Sequence, residues 1–243
     1  MLNNLILSQY LTVSKSPLYS FIFTLPLFLL YEVGIFLISS RDIDQLRNGA
    51  DVLMRQVLES FGIYGMYGFG GTFLVGFLIA FIRQKKNLRT SEIESRFLLI
   101  MFFESIVWAT LLVIMMIKIP TFLSLSNEDH LIQQVVLAIG AGIYEEFVFR
   151  VLLISGLAIL FGLIFNWGEF GKTFLSVIIS SAIFSIFHFF GSYGDTFSFS
   201  LFFVRFFAGI FLAMIYIFRG FGITAYAHSI YDLFVLVYIT TND

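Results

Sequence analysis

Nine ionisable side chains lie in stretches that are otherwise apolar: Glu32, Glu104, Glu145, Glu146, Arg150, His188, Arg205, His228 and Asp232. Charge is costly in hydrocarbon, so such groups are expected to face a polar interior and to mark a site. The densest cluster is Tyr144-Glu145-Glu146-Phe147-Val148-Phe149-Arg150. Adjacent residues on a helix point about 100° apart, so the two carboxylates face different neighbours. Glu146 and Arg150 stand at i,i+4 with the acid first, the favourable order for an ion pair. That pairing neutralises Glu146 and leaves Glu145 to face a cavity. The purely structural alternative is a buried ion pair beside a protonated, idle Glu145.

Two further insertions follow. In Phe184-Ser185-Ile186-Phe187-His188 an imidazole sits one turn after a Phe, which alone reads as a core or pore-lining histidine. In His228-Ser229-Ile230-Tyr231-Asp232 the His and Asp share a helix face, which suits two ligands of one metal or an imidazole oriented by a carboxylate. Three apolar segments thus each contribute polar groups, and one shared pocket is the economical explanation. The third histidine, His130, lies in a polar loop and reads as solvated.

The elements that position these groups are set by composition. Of 243 residues 59% are hydrophobic and 12% charged, against about 45–50% and about 25% in soluble domains. This excludes a soluble domain and a disordered chain. A net charge of −2 without a broad basic surface argues against nucleic-acid binding. The absence of cysteine excludes disulfides, thiolate–metal sites and a Cys nucleophile. The expectation is an all-α, polytopic transmembrane bundle forming a single domain over 1–243.

Spans are expected at 17–40, 62–82, 97–119, 172–190, 197–218 and 221–239, each near the roughly 20 residues a crossing needs. The stretch 131–165 is too long for one straight crossing and short for two, so seven or eight spans fit. Arg83, Lys85, Lys86, Arg89 and Arg96 form the densest basic run, which by the positive-inside rule is cytoplasmic and places the N-terminus there too. The Thr121–His130 loop carries Glu128 and Asp129 without a basic residue, which suits the outer side. The N-terminus lacks the features of a cleaved signal, so the first span is expected to be retained. Residues 41–60, with Ile43, Leu46, Leu53 and Val57 at helical spacing, read as an amphipathic connector lying on the membrane surface. Gly62, Gly65, Gly68, Gly70, Gly71 and Gly76 give the second span a small-residue packing face.

In order and context the motifs Glu145-Glu146-Phe-Val-Phe-Arg150, Phe184-Ser-Ile-Phe-His188 and His228-Ser-Ile-Tyr-Asp232 resemble those of the CPBP/Abi (CAAX prenyl protease-like) intramembrane metalloprotease family. The resemblance covers about 131–239. It implies a membrane peptidase in which Glu145 activates water for attack on a peptide carbonyl, beside His188, with Glu146, His228 and the last motif residue also in the site and Arg150 supporting. In that family the last motif often ends in Asn, thought to help stabilise the oxyanion. Here it ends in Asp232, and an ionised carboxylate cannot donate to an oxyanion. Asp232 is therefore protonated, or orients His228, or ligates a cation. Glu145, His188, His228 and Asp232 are a donor set that suits Zn²⁺ with an open water position. The HisGluxxHis helix motif of zinc proteases is absent, so any such site is assembled across helices.

The implied partners are membrane lipids and a peptide or protein substrate, lipidated or not, at the cell membrane. Serine chemistry is disfavoured, because no GlyxSerxGly occurs. The rival reading is a non-enzymatic membrane protein, either an immunity scaffold or a proton-coupled transporter. For Arg205 two roles compete: pairing with Glu32 or Glu104 to join helices, or binding a substrate carboxylate.

Overall fold

The computed structural model describes residues 2–38, 47–62, 93–116, 131–190 and 194–242. These form eight helices: α1 (Leu2–Val13), α2 (Pro17–Ile38), α3 (Gly49–Ser60), α4 (Ser95–Met116), α5 (Leu131–Phe165), α6 (Glu169–Phe187), α7 (Phe199–Arg219) and α8 (Phe221–Asn242). No strand occurs among the described residues. Helices α2, α4, α5, α6 and α7 are long and apolar enough to cross a membrane, and α8 carries a shorter apolar run, Phe221–Val237. Large apolar side chains stand on the outside of the bundle, among them Leu37, Leu163 and Phe170 at 75%, 80% and 83% exposure. Water would penalise that surface and acyl chains do not. The chain is an integral membrane protein.

The expected second span and its glycines from Gly65 to Gly76 lie outside the described residues. So do Ile43 and Leu46, the basic residues Arg83, Lys85, Lys86 and Arg89, and the Thr121–His130 loop.

Helix α5 settles the segment that hydropathy left open: it is one continuous helical element of 35 residues rather than two crossings. Its middle is wound as a π-helix, over Ala141–Glu145 and Phe147–Ile154. π-Winding is rare and concentrates at functional sites, because it loosens the i→i−4 ladder and redirects side chains. Hydroxyls of neighbouring helices satisfy loosened carbonyls here: Ser180 donates to Phe149 O at 2.6 Å and Ser229 to Ile139 O at 3.3 Å.

Helix α8 is the hub. Residues 222–229 are all buried, and the helix packs against α2, α4, α5 and α7. Such enclosure requires small side chains, supplied by Gly222, Ala225, Ala227 and Ser229. The closest approach is at Gly142 of α5, where a Cβ would meet Ser229 Oγ at 2.1 Å and Ala225 O at 2.4 Å. The single-residue link from α7 to α8 is Gly220, at φ +83°, a conformation L side chains rarely adopt.

Helix α3 corrects the surface-connector expectation. It is a helix, but its charged face points inward: Asp51 and Arg55 are buried, whereas Leu53 and Val57 are 37% and 43% exposed. The reason is that Glu32 and the start of α3 form one ion-paired cluster, which has to be shielded from lipid.

Gly142→Ala is expected to push α5 off α8, at a cost of about 1–3 kcal/mol as in other overpacked interiors. Thermal unfolding in detergent should show a lowered midpoint. A midpoint equal to wild type would refute backbone contact at this crossing.

Candidate active site

The two adjacent carboxylates of α5 point into different surroundings. Glu146 is fully buried and lies 3.0 Å from Arg150 Nε (Glu146 Oε2) and 2.8 Å from His228 Nδ1 (Glu146 Oε1). Arg150 is itself 1% exposed, with its guanidinium carbon 4.4 Å from the centre of the Phe184 ring and Nη2 donating to Gly209 O at 3.4 Å. Glu146 thus binds a cation on its own helix and the imidazole of α8 at once. A carboxylate paired with arginine accepts, so His228 donates through Nδ1, and its Nε2 turns to Asp232 Oδ2 at 3.5 Å. His228 therefore lies between two carboxylates.

Glu145 points the other way, toward the end of α6. Its Oε2 is buried without a hydrogen-bond partner and lies 3.7 Å from His188 Nε2. His188 Nδ1 is 2.8 Å from Phe184 O, and a carbonyl only accepts, so Nδ1 donates and the ring is fixed with Nε2 toward Glu145. Phe184 separates the imidazoles, with ring centres 4.8 Å from His188 and 6.2 Å from His228, and carries Arg150 on its face. Glu145, His188, His228, Asp232 and Arg205 line one cavity of about 330 Å³, walled otherwise mainly by apolar side chains of α5, α7 and α8. Glu146 and Arg150 stand behind it, outside the lining.

Sequence spacing missed a residue of this cavity, Asn48. It is the N-cap of α3, its Oδ1 accepting from Ala50 N–H, and its Nδ2 donates to Glu145 Oε1 at 2.8 Å. Its neighbours form a charged cluster: Arg47 pairs with Asp51 at 2.6 Å and with Glu32 at 3.4 Å, and Arg55 pairs with Asp51 at 2.7 Å. Burial opposes the charge of Arg47, but the hydrogen bond and charge of Asp51, joined by Glu32, raise its pKa above the ordinary arginine value. Tyr144, the residue before Glu145, donates to Glu32 Oε1 at 2.7 Å. Asn before Gly-Ala-Asp signals a helix start, yet nothing local tells that its amide meets a residue 97 positions away.

The expected partners of Arg205 are taken by others. Glu104 binds Arg219, with Nη2 to Oε2 at 2.9 Å, and Tyr10, which joins α1, α4 and α7. Glu32 belongs to Arg47 and Arg55. Arg205 pairs instead with Asp195, and its Nη1 is buried without a hydrogen-bond partner.

Among the described residues no three His, Asp or Glu side chains converge as a metal-binding group. The four candidate zinc ligands fall into two close pairs, Glu145 with His188 and His228 with Asp232, rather than one tetrahedron. In this arrangement they do not fit a single Zn²⁺.

A helical bundle with carboxylates and imidazoles gathered in an intramembrane cavity defines the class: an integral membrane protein with a polar site inside its bundle. Residues 127–234 match the family model described as Type II CAAX prenyl endopeptidase Rce1-like, so over that segment the resemblance read from the three motifs holds. The match spans α5 to α8, the helices that carry every motif residue, and implies a peptidase acting on a peptide or protein substrate in the membrane. No curated protein and no solved structure matches the chain.

Arg150→Ala would leave Glu146 a buried charge with no arginine, a change that costs about 3–5 kcal/mol when one member of a buried pair is removed. Arg150→Lys, which keeps the charge but loses the planar contact with Phe184, should fall between that variant and wild type in thermal midpoint.

Proposed function

We propose that the chain is an intramembrane endopeptidase that hydrolyses a peptide bond of a membrane-associated or lipidated substrate, with water activated by Glu145. The observation that carries this reading is the unpartnered Oε2 of Glu145, buried yet facing His188 Nε2 at 3.7 Å on the cavity wall. At that separation a water can hydrogen-bond to both groups at once. Glu145 takes the water's proton as hydroxide adds to the carbonyl carbon, then delivers it to the amine nitrogen as the C–N bond breaks. His188 orients the attacking water. His228, held by Glu146 on one nitrogen and Asp232 near the other, faces the developing oxyanion from the opposite wall. Of the roles open to Asp232, orienting His228 is the one that its 3.5 Å separation favours. Glu146 and Arg150 hold His228 and the π-wound turn in place.

Zinc is not given a step, because the donors stand in two pairs. Metal content by mass spectrometry on the untagged protein, with His188→Ala and Asp232→Ala alongside, is the check. The expected result is substoichiometric metal throughout. One transition metal per chain, lost in both variants, would replace this mechanism.

The remaining finer readings follow from charge. By the positive-inside argument the N-terminus is cytoplasmic; placement in the cell membrane is part of the same proposal. Arg205, which lines the cavity and has a buried Nη1 without a hydrogen-bond partner, is the residue we assign to bind a carboxylate of the substrate.

Reconstituted protein, offered fluorogenic peptides with and without a lipid anchor, tests the reading. Wild type should hydrolyse at least one, and Glu145→Gln should be slower by at least about 100-fold, the scale of a lost general base. Full activity in Glu145→Gln would sink the assignment and favour a non-enzymatic protein. For the same peptide, Arg205→Gln should raise KM about tenfold or more when the C-terminus is a free carboxylate, and little when it is an amide. Equal effects on both forms would remove Arg205 from recognition.

A further inference from the structure

The amide of Asn48 has no freedom to choose its hydrogen bonds. Its Oδ1 accepts from Ala50 N–H at 2.8 Å as the cap of α3, which fixes the NH₂ group toward Glu145. Its backbone N–H donates to Tyr31 Oη at 3.0 Å, and Tyr31 in turn donates to Asp51 Oδ2 at 3.1 Å. Asp51 is gripped by Arg47 and Arg55, and Arg47 reaches Glu32, which also accepts from Tyr144. One connected polar cluster therefore holds both partners: Asn48 through its main chain and Glu145 through the residue before it. The side-chain bond from Asn48 to Glu145 closes that circuit.

We infer that Asn48 is a positioning residue for Glu145: it occupies Oε1 of the carboxylate and so leaves Oε2 as the oxygen aimed at His188 and the cavity. This deepens the peptidase reading and rests on it for its kinetic consequence. Chemistry supports the choice of residue. A neutral amide supplies a hydrogen-bond donor to Oε1 without the charge neutralisation an arginine or lysine would bring. A carboxylate with one oxygen tied also loses rotational freedom about its terminal torsion, which keeps the reactive oxygen in register. Helix α3 is thereby part of the machinery and not a connector. Asn48 contributes although it lies far outside residues 127–234 that match the family.

Two variants separate the bond to Glu145 from the cap of α3. Asn48→Asp and Asn48→Ser both remain good N-caps, so α3 should stay folded, with thermal midpoints lowered only by the lost donor to buried Glu145 and, in Asn48→Asp, by the added like charge. Asn48→Asp replaces the donor by a like charge beside Glu145. Its kcat should fall by about 10- to 100-fold with KM little changed, as for a misplaced catalytic group. Asn48→Ser removes the donor without adding charge, so its kcat should fall less than that of Asn48→Asp, again with KM little changed.

A spectroscopic readout makes the test independent of turnover. The infrared carboxylate band of Glu145, isolated as the difference between each protein and its Glu145→Gln counterpart, should shift and broaden in Asn48→Ser. Wild-type kcat in both variants, or a Glu145 band that Asn48→Ser leaves unchanged, would overturn the inference. Failure of wild type to cleave any peptide would count against the peptidase reading, while the infrared band still decides the role of Asn48.

Discussion

Hydrocarbon does not solvate charge, and the architecture follows from that constraint. Glu145 and Glu146 are adjacent on α5, and each needs partners inside the protein. Glu146 finds Arg150 one turn on and His228 on α8. Glu145 finds Asn48 and, at longer range, His188. Because the partners come from three different helices, α3, α6 and α8 must all close on the same few residues of α5. The small side chains of α8 and Gly142 of α5 permit that approach.

The consequence is an unequal division of labour between the two carboxylates. Glu146 is ion-paired with Arg150 and bonded to His228, enclosed and outside the cavity lining, so it serves as structure for His228. Glu145 has one oxygen bonded and one left over, on the cavity wall. A buried, unsatisfied carboxylate oxygen is destabilising for the fold. It persists because the surrounding ion pairs fix α3 and α5, and such a group is the kind of feature that chemistry rather than stability explains.

The charged clusters also sort by distance from the cavity. Glu104 with Arg219 and Tyr10 joins α1, α4 and α7 and has no wall on the site. Glu32 with Arg47, Asp51 and Arg55 sits directly behind Asn48 and Tyr144 and sets their positions. Arg205 belongs to neither cluster. Its carboxylate partner, Asp195, lies just before α7; its Nη1 is buried without a hydrogen-bond partner, and the residue lines the cavity.

Sequence alone determined the features that depend on local composition and spacing. Apolar runs of about 20 residues specify spanning helices, because backbone polar groups in lipid must be satisfied within the segment. Spacing of i,i+4 specified that Glu146 can meet Arg150 and that His228 shares a face with Asp232, and the three motifs together carried the family resemblance. Tertiary structure decided what spacing cannot encode. It made 131–165 one continuous, partly π-wound helix, turned the charged face of α3 inward, and gave Glu32, Glu104 and Arg205 partners other than the expected ones. Above all it brought Asn48 to Glu145 across 97 positions. The physical reason is the same in each case: the pairing of a buried charge is chosen by which groups packing brings within about 3 Å, and helix packing is a property of the whole bundle.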